Sequence, residues 1–456
     1  MNADAMMHLS EAAVAVNGNL AGNDCEFFAV STDTRAIKPG DLFIALKGEK
    51  FDGAEFAGRA IESGASGVMI NSDASTPAVP SIRVKDTRMG LGQLAAYWRN
   101  RFSIPVIAVT GSNGKTTVKE MTAAILRSQS GNPEVVLATE GNLNNDIGCP
   151  MMMLRLRGHH RHAVLEMGMN HPGEIRYLTH LAKPDVALVN NAHMAHIGLM
   201  GTVQAIAEAK GEIFEGLNEK GIAIINRDDP HADYWREINA GRHVLTFGFH
   251  PEADVRGIYG SNDKDLLTIH AREQGEVSLT LPVPGEHNAR NALAAAACAL
   301  AVGVDLQTIA KSLAGFTGVK GRLQRKPGLH GGRFIDDTYN ANPDSTRAAL
   351  DVLSREAGHK YLVLGDMGEL GEAAPALHAQ VGLAARQAGV ERLFGLGDLS
   401  KEAVRAFGAG GMHFERIEEL LAEVENALAP DVTVLVKGSR AMRMERVVNS
   451  LTEEAH

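Results

Sequence analysis

The segment from Val106 to Thr117, VIAVTGSNGKTT, constrains the fold of this chain more than any other part of the sequence. An apolar run rich in β-branched residues ends at a glycine-rich turn, and a helix-like segment from Val118 to Leu126 follows. Backbone N–H groups in such a turn surround phosphate oxygens, a lysine offsets their charge, and the helix N-terminus adds the positive end of its dipole. The segment therefore predicts a strand, a phosphate-binding loop and a helix, and with them a sheet domain that binds a nucleoside triphosphate.

The loop is a shortened form of the usual phosphate-loop pattern, because Val109 stands where that pattern has its first glycine. An ordinary strand-to-helix turn could contain the same glycines, lysine and threonine. The predicted strand and helix nevertheless lie where phosphate binding needs them, which favours the functional interpretation. We expect the loop to bind ATP through seven consecutive residues, which are Gly111, Ser112, Asn113, Gly114, Lys115, Thr116 and Thr117.

Composition narrows the class of protein. A length of 456 residues with 45% hydrophobic residues allows about two to four domains with real cores. The net charge of −10 argues against a general nucleic-acid surface. The cysteines, Cys25, Cys149 and Cys298, are scattered and lack zinc-ligand spacing, which is typical of a reducing cytosol. Because we find no signal-peptide pattern and no apolar run of transmembrane length, we expect a cytoplasmic protein without membrane insertion.

The order of apolar segments divides the chain into three blocks, which we predict to be domains at 1–103, 104–324 and 325–456. In the first block, the candidate elements are the strands Leu42–Leu46 and Gly67–Ile70 and the helix Ala54–Ser63. In the second block, helical stretches lie between several short apolar strands, which are Val106–Val109, Ala163–Glu166, Val186–Asn190, Ile222–Asn226 and His243–Phe247. That alternation predicts a mainly parallel sheet covered by helices. Polar alternation from about 253 to 281 predicts an antiparallel appendage, and the block closes with the helix Asn288–Ala301.

The third block alternates strand and helix again, which predicts a Rossmann-like, doubly wound unit. Its strands are predicted at Phe334–Asp337, Tyr361–Leu364, Arg392–Gly395 and Val432–Val436, and its helices at Ser345–Arg355, Leu377–Ala388 and Glu402–Ala406. The segment Gly315–Gly332, with several Gly, Lys and Arg residues, is the expected hinge. The predicted fold class is therefore α/β in three domains: a small α/β N-terminal domain, a central phosphate-loop domain and the C-terminal Rossmann-like domain.

Polar residues follow the strands of the central block at the point where each strand ends. Glu166 ends one strand, and His193 and His196 follow the next. Because ligands of open α/β sheets bind at the carboxyl ends of strands, these side chains could face the phosphate loop. A carboxylate and an imidazole beside a triphosphate suit a divalent metal, although a solvated edge and a packed core would account for the same residues. Lys210, in the segment AEAKGE, is predicted from the residues alone to be a surface lysine.

Two further segments carry clustered polar groups whose role the pattern leaves open. Asn288 and Asn291 share a face at the start of a helix, where amides can cap the helix or contact a nucleotide base. The segment Ile335–Ser345 follows a strand and ends in Asn-Pro-Asp-Ser, which is typical of a turn with an N-cap but also of a binding loop. Lys437 and Arg440, after the last strand, offer two cations to an anion.

Several segments together resemble the Mur ligases of bacterial cell-wall synthesis, and the resemblance spans nearly the whole chain. The phosphate loop is one of them, since the missing first glycine is normal in that family. The other matching segments are Ser31–Arg35, Asp41–Gly48, Thr139–Pro150, Asn191–Gly198, Glu208–Glu212, Gly285–Asn291, Tyr339–Ser345, Leu364–Leu370 and Lys437–Arg440. Within the family, Thr139–Pro150 and Tyr339–Ser345 favour the member that adds a dipeptide. The resemblance implies an ADP-forming ligase that joins D-alanyl-D-alanine to UDP-N-acetylmuramoyl-tripeptide through an acyl phosphate.

The same resemblance implies roles for individual residues. It implies Lys115, His193 and Lys210 as catalytic residues, with Lys210 carbamylated by carbon dioxide. It implies a magnesium site, with two ions, held by Thr116, Glu166, His193 and the Lys210 carbamate. On ATP, it implies contacts from Asn288 and Asn291 to adenine, from Asp337 to ribose and from Arg322 to phosphate. It implies a UDP-substrate site at Ser31, Thr32, Asp33, Thr34, Arg35 and Lys47. For the peptide side we expect contacts from Asn142, Asn145, Asn340, Asn342 and Ser345.

Three other activities remain as alternatives. A sibling Mur ligase would add a single amino acid to a UDP-muramoyl peptide. A folate polyglutamate ligase shares the general plan, but the UDP-type segment at Ser31–Arg35 argues against it. A regulatory protein could hydrolyse ATP without making a bond. The resemblance leaves open whether the third residue of the tripeptide is diaminopimelate or lysine, and we expect small-molecule substrates, no nucleic-acid partner and a monomer.

Overall fold

The structure, a computed structural model, describes residues 5–48, 51–75, 78–193, 197–260, 265–272 and 274–453. Within these residues the chain forms sheets of five, nine and six strands, together with a two-stranded pair of Met7–His8 and Glu26–Phe27. Most strand pairs in the three sheets are parallel, and helices cover the sheets, as the α/β prediction requires. Among the described residues, no helix is both long and apolar enough to cross a membrane.

The five-stranded sheet belongs to the N-terminal part of the chain. Its strands, in spatial order, are Asn19–Ala21, Ser81–Val84, Gly67–Asn71, Asp41–Ile44 and Ala29–Ser31. The last four of these are parallel, so their carboxyl ends meet at one edge of the sheet. The helices are Leu9–Ala15, Gly53–Phe56, Ala57–Glu62 and Thr87–Arg99. The two predicted strands and the predicted helix of this part are confirmed, with bounds that move by one or two residues.

The nine-stranded sheet forms the centre of the molecule. In spatial order its strands are Gly275–Thr280, Leu266–Ala271, Val255–Tyr259, His243–Gly248, Ile222–Asn226, Val186–Val189, Val106–Thr110, His162–Glu166 and Val136–Ala138. All five predicted strands are present and parallel to their neighbours. The predicted antiparallel appendage is present too, but it continues the same sheet, because Val255–Tyr259 pairs in parallel with His243–Gly248.

Two long helices, Lys115–Ser130 and Glu286–Ala301, pack against this sheet within one apolar core. Alanines fill the second helix, so the two helices and the sheet can approach closely. The remaining helices of the central part are Pro133–Val135, Gly148–Met153, Glu174–Ala182, Ile197–Met200, Val203–Gly211, Glu212–Gly216, Ala232–Glu237 and Leu306–Ala314.

The six-stranded sheet forms the C-terminal part. In spatial order its strands are Gln324–Pro327, Arg333–Asp337, Val432–Lys437, His359–Gly365, Arg392–Leu396 and Gly411–Phe414. All but the first run parallel, which confirms the doubly wound prediction. Its helices are Leu329–Gly331, Pro343–Ser354, Gly371–Ala373, Ala374–Gln387, Ser400–Phe407, Ile417–Asn426, Arg440–Met442 and Glu445–Leu451. The strand Gly411–Phe414 and the helix after it are absent from the sequence prediction.

Each predicted block carries its own sheet, and the bounds at 103 and 324 stay predictions. The central and C-terminal parts meet at backbone level, since the Gly198 N–H donates to the Glu369 carbonyl over 3.2 Å. A Cβ atom at Gly198 would lie only 2.7 Å from the nitrogen of Gly371. This contact joins segments that follow the strands Val186–Val189 and His359–Gly365, so the carboxyl ends of the two sheets lie on the side of this contact.

Candidate active site

The phosphate loop occupies the turn between the strand Val106–Thr110 and the helix that begins at Lys115. Gly114 has a φ of +78°, a left-handed conformation that favours glycine. A Cβ atom there would lie 2.3 Å from Asn291 Oδ1 and 2.6 Å from Asn190 Nδ2. Both the backbone conformation and the close neighbours therefore require glycine at this position.

Two asparagines at the end of the neighbouring strand hold the loop in place. The Asn190 amide donates to the Asn113 carbonyl over 3.0 Å and to Asn291 Oδ1 over 2.9 Å. The Asn191 amide also donates to the Asn113 carbonyl, and the Asn113 N–H donates back to Asn191 Oδ1. Sequence reasoning gave neither Asn190 nor Asn191 a role, although their position at a strand's carboxyl end was a signal that could have found them.

Lys115 lies folded over its own loop. Its Nζ donates to the Gly111 carbonyl over 2.6 Å and to the Ser112 carbonyl over 3.2 Å. Burial lowers the pKa of Lys115, while the negative charge of Glu166 acts in the opposite direction. The ammonium group is thus held at the phosphate-binding turn, where the sequence predicts charge neutralisation.

Glu166 forms the centre of a buried polar cluster at the end of the loop. Its side chain is almost fully buried. One carboxylate oxygen accepts from the Thr116 hydroxyl over 2.8 Å, and the other accepts from the Asn144 amide over 2.7 Å. Arg322, which lies in the predicted hinge, donates to the Thr116 hydroxyl over 2.8 Å. Three predicted site residues, from distant parts of the sequence, therefore meet at one point, and Asn144 joins them without having been predicted.

Lys210 is not the surface lysine that the local sequence predicts, because only 2% of the residue is exposed. It occupies the last turn of the helix Val203–Gly211 and lines the same cleft as the phosphate loop. Burial lowers the pKa of Lys210 well below its ordinary value, and the charge of Lys115 lowers it further. A lowered pKa increases the neutral amine, which is the form that reacts with carbon dioxide.

His193 lies beside the loop and is partly buried. Its backbone N–H donates to the Ser112 hydroxyl over 2.9 Å, and that hydroxyl lies 3.1 Å from the His193 carbonyl. His196, the other candidate histidine, lies outside the described residues. Among the residues that the structure describes, no three His, Cys, Asp or Glu side chains form a group able to hold a metal.

Asn288 and Asn291 lie in the first turns of the helix Glu286–Ala301, and both line the cleft. The Asn288 amide donates to the Pro284 carbonyl over 2.8 Å, which is a local bond near the helix start. Asn291 instead accepts from Asn190, so it also supports the phosphate loop. Asn288 therefore makes a local side-chain bond without capping the helix, and Asn291 supports the phosphate loop.

The C-terminal sheet supplies the opposite wall of the cleft. Asn342 caps the helix Pro343–Ser354 by accepting the Ser345 N–H, and its amide donates to Asn113 Oδ1 over 2.8 Å. Asp337 forms an ion pair with Lys437, whose Nζ also donates to the Asn340 carbonyl over 2.9 Å. Burial raises the pKa of Asp337, and the charge of Lys437 opposes this shift.

The cleft enclosed by these walls has a volume of about 1110 Å³. The predicted ATP residues line it, apart from the loop residue Gly111, which is buried. The predicted peptide-side residues line it as well, and they are Asn142, Asn145, Asn340, Asn342 and Ser345. The predicted UDP-side residues lie elsewhere, at the carboxyl edge of the N-terminal sheet, and they are Ser31, Thr32, Asp33, Thr34, Arg35 and Lys47.

Family models match all three parts of the chain. The model described as "Mur ligase family, catalytic domain" matches residues 26–99, "Mur ligase middle domain" matches 109–299, and "Mur ligase, glutamate ligase domain" matches 321–440. The UDP-N-acetylmuramoyl-tripeptide–D-alanyl-D-alanine ligase of Escherichia coli strain K12 is 44% identical over 453 residues, which cover 98% of each protein. The chain belongs to the Mur ligase family.

Solved structures of other Mur ligases share the fold over nearly the whole length. The UDP-N-acetylmuramoylalanyl-D-glutamyl-2,6-diaminopimelate–D-alanyl-D-alanyl ligase of Acinetobacter baumannii is 35% identical, with a TM-score of 0.86 over 97% of both chains. The MurF ligase of Thermotoga maritima, solved in complex with ADP, is 27% identical, with a TM-score of 0.81 over 92% of this chain and 96% of that one. The three-domain α/β architecture of Mur ligases is therefore confirmed for this chain.

Proposed function

We propose that this Mur ligase uses ATP to join D-alanyl-D-alanine to UDP-N-acetylmuramoyl-tripeptide, which gives the pentapeptide used in peptidoglycan synthesis. The observation that carries the proposal is one cleft in which the phosphate loop and buried Glu166 face amide-rich segments from two domains. The relative from Escherichia coli is named for this reaction and aligns over the full chain. For assays we take the tripeptide in the name of the Acinetobacter baumannii ligase, alanyl-D-glutamyl-2,6-diaminopimelate, as the reference substrate.

The first step must activate a carboxylate, which is a poor electrophile. Transfer of the γ-phosphoryl group from ATP to the terminal carboxylate of the tripeptide makes an acyl phosphate and ADP. Lys115 lies at the turn that would hold the phosphates, and its ammonium offsets their charge during transfer. Arg322 adds a second cation 2.8 Å from the Thr116 hydroxyl, and it reaches the reacting group from the segment predicted as the hinge.

The cluster around Glu166 fits a magnesium ion by the chemistry of its donors. Magnesium prefers hard oxygen ligands, and here a buried carboxylate and a hydroxyl lie 2.8 Å apart beside the phosphate loop. We propose Thr116, Glu166, His193 and a carbamate on Lys210 as the residues that hold Mg²⁺, with two ions in all. When bound, the metal would neutralise phosphate charge and polarise a phosphoryl oxygen. The lowered pKa of Lys210 supports the carbamate, because it favours the reactive amine.

In the second step the amine of D-alanyl-D-alanine attacks the acyl carbon, and phosphate leaves from the tetrahedral intermediate. The acyl phosphate must be kept from water until the amine arrives. The bond from Asn342 to Asn113 brings the C-terminal wall onto the phosphate loop, which restricts access to that side of the cleft. We assign Asn340, Asn342 and Ser345 to the dipeptide side, and Asn142 and Asn145 to the peptide on the central wall.

The UDP moiety would bind at the edge of the N-terminal sheet, through Ser31–Arg35 and Lys47. Asn288 and Asn291, from the central wall, and Asp337, from the C-terminal wall, would hold the nucleoside of ATP. We place the reaction in the bacterial cytoplasm, with the protein as a monomer, and both assignments stay predictions. Through peptidoglycan synthesis the reaction would serve cell shape and cell division.

The deciding experiment measures phosphate release with ATP, magnesium and UDP-N-acetylmuramoyl-tripeptide, with and without D-alanyl-D-alanine, and follows products by mass spectrometry. We expect rapid release only with the dipeptide, together with the pentapeptide mass. Release that ignores the dipeptide, with no new amide, would contradict the proposal and favour a regulatory ATPase. A product that appears only with a single amino acid would favour a sibling ligase.

A further inference from the structure

Arg88 is the one residue that the N-terminal part contributes to the described lining of the cleft. It is the second residue of the helix Thr87–Arg99, and its N–H donates to the capping carboxylate of Asp86. The helix start is tied to the ends of two other strands, because Thr87 donates to the carbonyl of Ala45, which follows Asp41–Ile44, and to Asn71 Oδ1. The backbone of Arg88 is therefore fixed at the carboxyl edge of the N-terminal sheet.

This position lies on the path between the proposed UDP site and the phosphate loop. The proposed UDP segment follows the strand Ala29–Ser31, and Arg88 follows the strand Ser81–Val84 at the same edge. These strands are the two outer members of the parallel set, so about 14 Å, or three strand spacings, separates them. A muramoyl-tripeptide is long enough to cross that distance, since each extended residue spans about 3.3–3.6 Å. The distal end of the peptide would then pass Arg88 on its way into the cleft.

Arg88 presents a paired charge to the cleft. Its guanidinium makes two hydrogen bonds to the Asp146 carboxylate, in a loop of the central part. About half of the Arg88 side chain is exposed. Glu174 also lines the cleft and lies close enough to interact electrostatically with Arg88. The local surface thus offers one planar cation and carboxylates beside it.

We propose that Arg88 and Asp146 select the side-chain end of the third residue of the tripeptide, and that this end carries both an ammonium and a carboxylate, as in 2,6-diaminopimelate. The proposal rests on the proposed function. The substrate carboxylate would take the two guanidinium N–H groups, and the substrate ammonium would donate to Asp146. Arg88 and Asp146 would then each have an oppositely charged partner on the substrate. A lysyl side chain has only the ammonium, so it would take Asp146 and offer Arg88 no carboxylate of its own.

The experiment compares kcat/KM for UDP-N-acetylmuramoyl-tripeptides that end in 2,6-diaminopimelate or in lysine, with saturating ATP and D-alanyl-D-alanine. We expect the wild type to favour the diaminopimelyl substrate by about tenfold or more, because a bidentate arginine–carboxylate pair is lost with lysine. Arg88→Met should raise KM for the diaminopimelyl substrate by about the same factor, and should change kcat/KM for the lysyl substrate less than about threefold. Asp146→Asn should raise KM for both substrates, since both carry the ammonium.

Three controls separate recognition from folding. Arg59→Met makes the same charge change on an exposed helix outside the cleft lining and should leave both KM values unchanged. The thermal midpoint and KM for ATP should stay constant in Arg88→Met, and Arg88→Lys should recover part of the lost preference. An equal loss on both substrates would assign Arg88 to a carboxylate that they share, such as that of the D-glutamyl residue, and would overturn the proposal. No change on either substrate would overturn it as well, whereas no pentapeptide from the wild type with either substrate would sink the proposed function itself.

Discussion

The phosphate loop and the segment Ser31–Arg35 are both proposed to bind a nucleotide, yet they are built in different ways. The loop is held from outside, because Asn190 and Asn191 fix the Asn113 backbone from a neighbouring strand. The other segment is held mainly by its own residues: Ser31 bonds within the turn, and Arg35 pairs with Asp33. The Arg35 side chain is 83% exposed. A loop fixed by other strands is preorganised for its ligand, whereas a self-contained exposed turn can adjust to one.

Lys115→Ala, in the preorganised phosphate loop, should have the largest effect on activity. The change removes the ammonium that lies at the phosphate turn, so we expect kcat to fall about a thousandfold or more. The fold should be intact, because Lys115 bonds only to carbonyls of its own loop among the contacts described. Phosphate release and the thermal midpoint would be measured together, with Lys311→Ala, an exposed lysine on another helix, as the control. An active Lys115→Ala protein would contradict the assignment of the ATP site.

Lys210→Ala should be the next most damaging change, with kcat reduced by at least about a hundredfold. The buried amine is lost, and with it the group proposed to carry the carbamate. Added bicarbonate should not restore activity, since no amine remains to react. Lys220→Ala, at an exposed position, provides a matched lysine control. Activity close to that of the wild type would show that the carbamate role is wrong.

Acid should destabilise the cleft and the turn Ser31–Arg35 in separate pH windows. Burial lowers the pKa of His287, at the cleft, from 6.5 to about 4, so the unfolded chain binds the proton first. Stability should therefore fall as pH drops from 6.5 to 4, by at most about 3 kcal/mol. The hydrogen bond from Arg35 lowers the pKa of Asp33 from 3.8 to about 2, so its stabilising contribution is present above pH 3.8 and disappears as pH falls to about 2.

Urea unfolding of His287→Gln and Asp33→Asn at several pH values checks this separation. His287→Gln should flatten the pH dependence between 6.5 and 4, and Asp33→Asn should change it only below 4. If His287→Gln retains the full slope in its window, the imidazole is not the group responsible.

Arg35→Ala should have the smallest effect. The side chain is exposed and paired within its own turn, so we expect KM for the UDP substrate to rise about three- to tenfold. KM for ATP should be unchanged, because the segment lies outside the cleft lining. The measurement is the pair of KM values, beside Arg59→Ala as an exposed control. A large loss of kcat would mean that this turn is as preorganised as the phosphate loop.

The parts that could be predicted are those with a local physical signature. The strand, loop and helix around Lys115 follow from composition over a dozen residues, and the parallel strands follow from short apolar runs between helices. The strand Gly411–Phe414 was missed because it is four residues long, begins with glycine and has no buried residue.

The contacts between residues of the site could not be predicted without the fold. Lys210 is surrounded by Ala, Glu and Gly in sequence, and only the packing of its helix buries it. Arg322 reaches Thr116 from 206 residues further along the chain, a contact that no local pattern encodes. The resemblance to Mur ligases supplied roles for both residues, whereas Asn144, Asn190 and Asn191 emerged from the structure alone.

Gly198 contacts Glu369 and Gly371, so a mutation at position 198 is expected to change the spacing between the central and C-terminal parts. Backbone alone sets the separation there, since neither glycine has a side chain and the bond joins an N–H to a carbonyl. Side chains of increasing volume at position 198 would act as spacers of graded thickness between the central and C-terminal parts. Such a series would leave every residue that lines the cleft unchanged, so its effect on activity would report on the spacing between the two parts alone.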